Sequence, residues 1–307
     1  MIYSQDELLK LILETDALSI WNHEKGPVFW YAANVPGPFY VNTEKLIGPE
    51  LSERMLREIT GIAVGTLDAQ ARAEQLEGVI LEAFNASPLW QKLIATLMDA
   101  ARKEFGGKGC SFISGGERRD WLFSIPFAHV AELPHLYLFK NKETYCDHPI
   151  KPGQHVIHVS DLINNAASFF DLWQPMLRAA ELNCLGNVCV NVRGMNGLKR
   201  LEEAGEKVVS LMTLDTAFFQ KLHAADLISR EVFEEIAVFL VSSKDWASQY
   251  LLDKPTLFDV NRCDNKSFER LTAFVADDPW GMRPTHEGFF ASMQKAIDAR
   301  RAKEAQA

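Results

Sequence analysis

Apolar side chains recur at helical spacing from about residue 5 to 15, behind two acids, Asp6 and Glu7, that suit a helix amino end. This pattern predicts a first helix. From Pro27-Val-Phe-Trp-Tyr31 through Pro36-Gly-Pro-Phe-Tyr-Val-Asn42 the chain turns aromatic, β-branched and proline-rich, a composition of short strands broken by turns. We expect a small hood there. Residues 48 to 105 read as helical throughout, ending in Trp90 to Phe105 and the stop signal Gly106-Gly107.

Beyond Gly107 the pattern alternates. Short apolar runs at Cys110–Ile113, His135–Phe139, His155–Val159, Asn187–Val192 and Lys207–Met212 read as strands. Helical runs at Trp121–Val130, at about 169–182 and at Leu198–Ala204, closed by Gly205, lie among them. Strands alternating with helices predict right-handed crossovers around a mainly parallel sheet flanked by helices, an α/β core. After about 214 only helical patterns remain, including Glu231–Val241 and Thr285–Arg300, so a helical carboxyl-terminal appendage is expected. The expected organisation is an amino-terminal helix and hood over 1–47, the α/β core over 48–214 and the helical region over 215–307.

Composition narrows the function classes. The 307 residues are 47% hydrophobic and 24% charged, ordinary for a globular chain with a sizeable core. A net charge of −9 argues against general affinity for nucleic acid or anionic membrane, so neither is expected as a partner. Five cysteines, an odd number without zinc-type spacing, fit a reducing compartment. The first residues carry acids where a signal peptide carries basic and apolar regions, and no uncharged run approaches membrane-spanning length, so the expected location is the cytoplasm.

Two segments have the setting in which α/β sheets bind anions, where a strand ends and a helix amino end offers free N–H groups. One runs from Val156 to Ser168: an apolar strand, the single acid Asp161, then Asn164, Asn165, Ala166, Ala167 and Ser168 opening a helix. Small residues let backbone amides approach a phosphate, and a carboxylate at a strand end can hold sugar hydroxyls or a metal. The lesser alternative for Asp161 is to cap the following helix or simply to sit at a strand end. The other is Ser114-Gly-Gly-Glu-Arg-Arg119, where paired glycines and two arginines suit either phosphate binding or a structural turn with solvated arginines. His155 and His158, three apart on one strand, point to opposite faces and do not make a metal pair.

The text Ser160-Asp161-Leu162-Ile163-Asn164-Asn165-Ala166-Ala167-Ser168 resembles the phosphoribosyl pyrophosphate motif of the type I phosphoribosyltransferases, which runs apolar strand, two acids, two apolar residues, Thr-Thr-Gly-small-Ser. The second acid and the final serine are present; the first acid is Ser160 and the loop glycine is Ala166. Pro38 to Asn42, Leu46-Ile47, Gly115-Gly116, Lys140, Val192-Arg193, Gly197, Leu201 to Gly205 and Val209 to Leu211 are similar in order and spacing to the orotate phosphoribosyltransferases, over roughly residues 15 to 215.

The resemblance implies a type I phosphoribosyltransferase-like fold and transfer of a phosphoribosyl group between phosphoribosyl pyrophosphate and an orotate-like nucleobase. It further implies that Asp161 binds ribose hydroxyls, and indirectly magnesium, while residues 164–168 cradle the 5′-phosphate. Ser114, Gly115, Gly116 and Arg118 would hold pyrophosphate with Mg2+, and Lys140 and Lys142 would stabilise it as it leaves. A homodimer is implied too. The departures have physical consequences: an alanine held at positive φ costs roughly 1 kcal/mol, and the shift from two acids to one removes a ligand for ribose or magnesium. The second reading is therefore a homodimer that binds phosphoribosyl pyrophosphate or a nucleotide without catalysis.

Overall fold

The computed structural model describes residues 1–23, 28–250, 260, 261 and 263–305. In chain order it runs through α1 (Gln5–Glu14), the short strands β1 (Leu18–Ile20), β2 (Phe29–Trp30), β3 (Pro36–Gly37) and β4 (Phe39–Val41), and a 3₁₀ turn at Thr43–Ile47. Then come α2 (Pro49–Ala63), α3 (Ala69–Asn85), α4 (Pro88–Phe105), β5 (Cys110–Gly116), α5 (Trp121–Ala131), β6 (His135–Leu138), β7 (Thr144–Tyr145) and β8 (His155–Ile163). A π-turn (Phe169–Trp173) leads into α6 (Gln174–Ala179), followed by β9 (Asn183–Val192), α7 (Met195–Glu203) and β10 (Val208–Thr213). The described chain forms two compact units, one of residues 1–17 and 42–215, the other of 18–41 and 216–307. Residues 1–47 are thus divided between the two.

The first unit is built on a six-stranded sheet of order β10-β9-β8-β5-β6-β7, parallel except for the antiparallel edge pair β6–β7. This is the expected α/β core flanked by helices. Two elements run further than their apolar patterns. β5 continues through Ser114, Gly115 and Gly116, because Gly115 pairs with Tyr137 and Gly116 with Leu138, so the glycines stand in the strand and not in a turn after it. β8 continues to Ile163, paired with Val192, which places Asp161 inside the strand. α1 opens on a reciprocal cap: Ser4 Oγ accepts the Glu7 amide at 3.2 Å, and Glu7 Oε2 accepts the Ser4 amide at 2.7 Å. The indoles of Trp90 and Trp121, both fully buried, donate to the carbonyls of Leu122 and Gly115 and lock α4 and α5 to the sheet.

The second unit joins the hood to the carboxyl-terminal helices. β1 pairs with β4 and β2 with β3. The helices are α8 (Thr216–Ala224), α9 (Arg230–Val241), α10 (Ser243–Tyr250), α11 (Asn265–Asp277) and α12 (Glu287–Glu304), as the helical patterning predicts. Pro27, the first residue of the aromatic stretch, lies outside the described residues. An aromatic core of Trp21, Trp30, Trp246, Phe274 and Phe290 holds this unit together. Within it Glu235 accepts from the Trp246 indole at 2.9 Å and meets His23 Nε2 at 2.9 Å, so one buried carboxylate ties α9, α10 and the hood.

Candidate functional site

The carboxyl ends of β5, β8 and β9 lie side by side in the first unit, where the central parallel strands hand over to their helices. The β8 loop reaches Ala166, which sits at φ 56°, the left-handed conformation that the glycine of a phosphate loop supplies without strain. Helical structure starts at Ala167, and Phe170 N–H bonds back to Ala166 O at 3.2 Å. Asn165 Oδ1 accepts the Ala167 amide at 3.1 Å, an Asx turn that closes part of the loop on itself. Behind the loop Gly194 and Gly197 leave no room for a side chain, since a Cβ would fall 2.1 and 2.3 Å from Asn164 O. Arg200 reaches Asn165 O at 3.4 Å while stacking over Phe170 at 4.3 Å. Because left-handed alanine is strained by about 1–2 kcal/mol, Ala166→Gly is expected to stabilise the fold by about 0.5 kcal/mol after the added freedom of the unfolded chain is subtracted. Thermal denaturation of the two proteins checks this.

Next to the loop are three carboxyl groups. Asp120, at the start of α5, accepts from Gly116 N–H through Oδ2 at 3.2 Å and from Asp161 N–H through Oδ1 at 3.1 Å. The Asp161 side chain is hydrogen-bonded to the same carboxyl. Burial, and then the charge of Asp161, pushes Asp120 well above the usual carboxylate range. Burial, opposed by Arg119 and reinforced by Glu44, pushes Asp161 up to about 6. Both carboxyls are therefore protonated more readily than exposed ones. Glu44, 5% exposed in the 3₁₀ turn, meets Arg119 Nη2 through Oε1 at 3.3 Å, while its Oε2 has no partner among the described residues. The turn is pinned to β9 by Asn191 Nδ2, which donates to Thr43 Oγ1 at 3.0 Å.

No family model matches the chain, and no curated protein does. Among solved structures it is similar to Leishmania donovani UMP synthase, with 13% identity and a TM-score of 0.52 over 78% of this chain and 42% of that one, so it spans less than half of that protein. It is also similar to the orotate phosphoribosyltransferase of Francisella tularensis, with 10% identity and a TM-score of 0.50 over 76% of this chain and 96% of that one. The fold is type I phosphoribosyltransferase-like. At these identities the likeness is one of fold.

On that fold the residues expected to act together are only partly brought together. Asp161 and the 164–168 loop are adjacent, as the motif requires. Ser114 is fully buried, its hydroxyl hydrogen-bonded to His158 Nδ1 at 3.1 Å inside the sheet. Gly115 and Gly116 are explained by packing: a Cβ on Gly115 would fall 2.0 Å from Ser124 Oγ, and one on Gly116 2.2 Å from the Trp173 indole. The Gly116 amide is held by Asp120 and the Glu117 amide by Leu138 O at 2.9 Å. Arg118 turns to Thr60 Oγ1 at 2.6 Å. Lys140 is exposed, its amide bonded to Glu117 Oε2 at 3.0 Å; Lys142 is exposed in the β6–β7 connection at φ 70°.

Asp120 and Glu44 are the site residues that sequence reasoning misses. Asp120 carries a weak signal, an acid four residues beyond Gly116 at a helix start; Glu44 carries none. Among the described residues no group of three or more His, Cys, Asp or Glu can hold a metal, and Asp161 spends its hydrogen bonds on Asp120 and Leu162. No helix among the described residues is long and apolar enough to cross a membrane.

Proposed function

We propose that this chain holds the ribose 5-phosphate part of a nucleotide or of phosphoribosyl pyrophosphate at residues 164–168 and has lost the transfer reaction. The observation that carries the reading is the left-handed Ala166 at the head of a helix: the loop shape is kept although the glycine that makes it easy is gone. Asn164, Asn165, Ala167 and Ser168 surround the ligand phosphate in this reading, with amide groups at the helix start and the Asn164 side chain donating.

Transfer asks for more. A departing pyrophosphate must be met by positive charge, and an anionic base such as orotate must be tolerated beside it. Beside the loop stand instead Glu44, Asp120 and Asp161, with Arg119 paired to Glu44 and Arg118 committed to Thr60. Magnesium would enter with the ligand's own phosphates, as it commonly does. The transferase reading stays attached to Lys140, whose exposed ammonium is free to meet a leaving group. The protein is taken as a cytoplasmic homodimer in both readings, which sedimentation and fractionation test.

Isothermal titration of ribose 5-phosphate, and of phosphoribosyl pyrophosphate with Mg2+, separates the two. The expected result is binding of both within about threefold, that is within about 0.7 kcal/mol, and no pyrophosphate release with orotate or adenine. Phosphoribosyl pyrophosphate binding more than tenfold tighter, with base-dependent pyrophosphate release, would establish the transferase instead.

A further inference from the structure

The outer face of the α2–α3 hairpin, in the first unit, carries a groove of about 720 Å³. Gly61, Ile62 and Leu67 line it from α2 and the connection, Gly78 and Val79 from α3, and Arg57 and Glu82 share it with them. Arg57 and Gly61 are one turn apart on α2, as are Gly78 and Glu82 on α3, so each helix lays a stripe along the groove. Both glycines are exposed, and a Cβ added to either would meet nothing within 4 Å. Packing inside the subunit therefore gives no reason for them, although glycine is among the poorest residues for a helix interior. Val64, 73% exposed, and Leu67, 44% exposed, continue the apolar surface past the end of α2.

Charge decides what fits this face. The two helices run antiparallel, joined by the short connection 64–68 and tied there by Arg72 Nη1, which donates to Ala63 O at 3.4 Å. Arg57 and Glu82 consequently stand at the same end of the groove, one on each helix and away from the connection. Arg57 is paired with Glu53 at 2.9 Å, an exposed pair one turn apart that contributes little and exchanges readily. A second copy related by a two-fold axis parallel to the helices sets its α2 against this α3, antiparallel to it, and its α3 against this α2. Equivalent ends then coincide, and Arg57 of each copy meets Glu82 of the other, twice by symmetry. Ile62 and Val79 of each copy fall over the glycines of the other, where the missing side chains let the backbones approach.

We propose that two copies of this chain associate through their α2–α3 hairpins as a four-helix bundle. The inference rests on the homodimer taken in both readings above and assigns its contact face. A helix of another protein has no reason to carry these two charges at this spacing, whereas a second copy carries them by construction.

Sedimentation equilibrium of the full-length protein over a concentration series tests this. The wild type is expected to be a dimer. Gly61→Gln combined with Gly78→Gln is expected to weaken the dimer at least about tenfold with an unchanged circular dichroism spectrum, because glutamine is a good helix former and has space within the subunit. Arg57→Glu and Glu82→Arg are each expected to weaken it, and an equal mixture of these two variants to recover it, since every contact in the mixed dimer joins opposite charges. A monomer at all concentrations would overturn the homodimer and this face together. A dimer that the glycine variant leaves intact would overturn the face alone. So would a mixture no tighter than its components, which marks a general effect of charge.

Discussion

Replacing Asp161 by Asn is expected to stabilise the protein at pH 7 by roughly 2 kcal/mol and to flatten the pH dependence of its stability between about pH 4 and pH 6. Burial of Asp161, opposed by Arg119 and reinforced by Glu44, raises its pKa in the folded chain to about 6, above that of the unfolded chain. The native state therefore binds more protons across that window. Its contribution is complete below the unfolded pKa and is lost as pH rises through about 6. Asp120, raised by burial and then by Asp161, has the same sign and extends the loss upward. Asparagine keeps both hydrogen bonds, its amide donating to Asp120 and its carbonyl accepting from Leu162 N–H, while nothing remains to ionise next to Asp120. Urea unfolding at pH 4, 5, 6 and 7 reads the difference between wild type and variant. A variant that is less stable than wild type at pH 7 would mean that burial does not raise the Asp161 carboxyl in the folded chain.

This pair also marks where sequence reading stops. The alternation from Cys110 to Met212 made the parallel sheet legible, and the Val156–Ser168 frame made legible a strand that ends in a tight loop opening a helix, because both depend on local periodicity and turn chemistry. The approach of Asp120 to Asp161, 41 residues apart, depends instead on the register in which Ser114 pairs with His158, which no local pattern encodes. Gly115 and Gly116 illustrate a different limit. Paired glycines announce close approach without saying to what, and here the neighbours are Ser124 and Trp173 within the protein. Glu44 sits in a stretch whose polarity suggests exposure, yet Leu46, Ile47 and the Asn191–Thr43 bond draw the turn inward. Likewise the apolar stripes of the hood and of α11 and α12 show which faces are buried, but their shared aromatic core is a tertiary fact.

Gly194→Ala is expected to destabilise the protein by about 2–3 kcal/mol and to weaken ribose 5-phosphate binding at least tenfold. The added methyl would stand 2.1 Å from Asn164 O and 2.9 Å from both the carbonyl carbon and Oδ1 of that residue. Backbone cannot rotate aside as the tip of a long side chain can, so residues 164–168 must move together, carrying Ala166 and the helix start with them. Gly205→Ala separates this displacement from ordinary backbone strain. Gly205 sits at φ 78° with nothing within 4 Å of its added Cβ, so alanine there is expected to cost about 1 kcal/mol and to leave ribose 5-phosphate affinity unchanged. Chemical denaturation gives the stabilities and titration calorimetry the affinities. If Gly194→Ala lost stability while binding ribose 5-phosphate as tightly as wild type, the 164–168 loop would not be where the phosphate is held, and the kept shape at Ala166 would be a feature of the fold alone. Loss of both in Gly194→Ala, with only the stability loss in Gly205→Ala, places the phosphate in the loop that Gly194 braces.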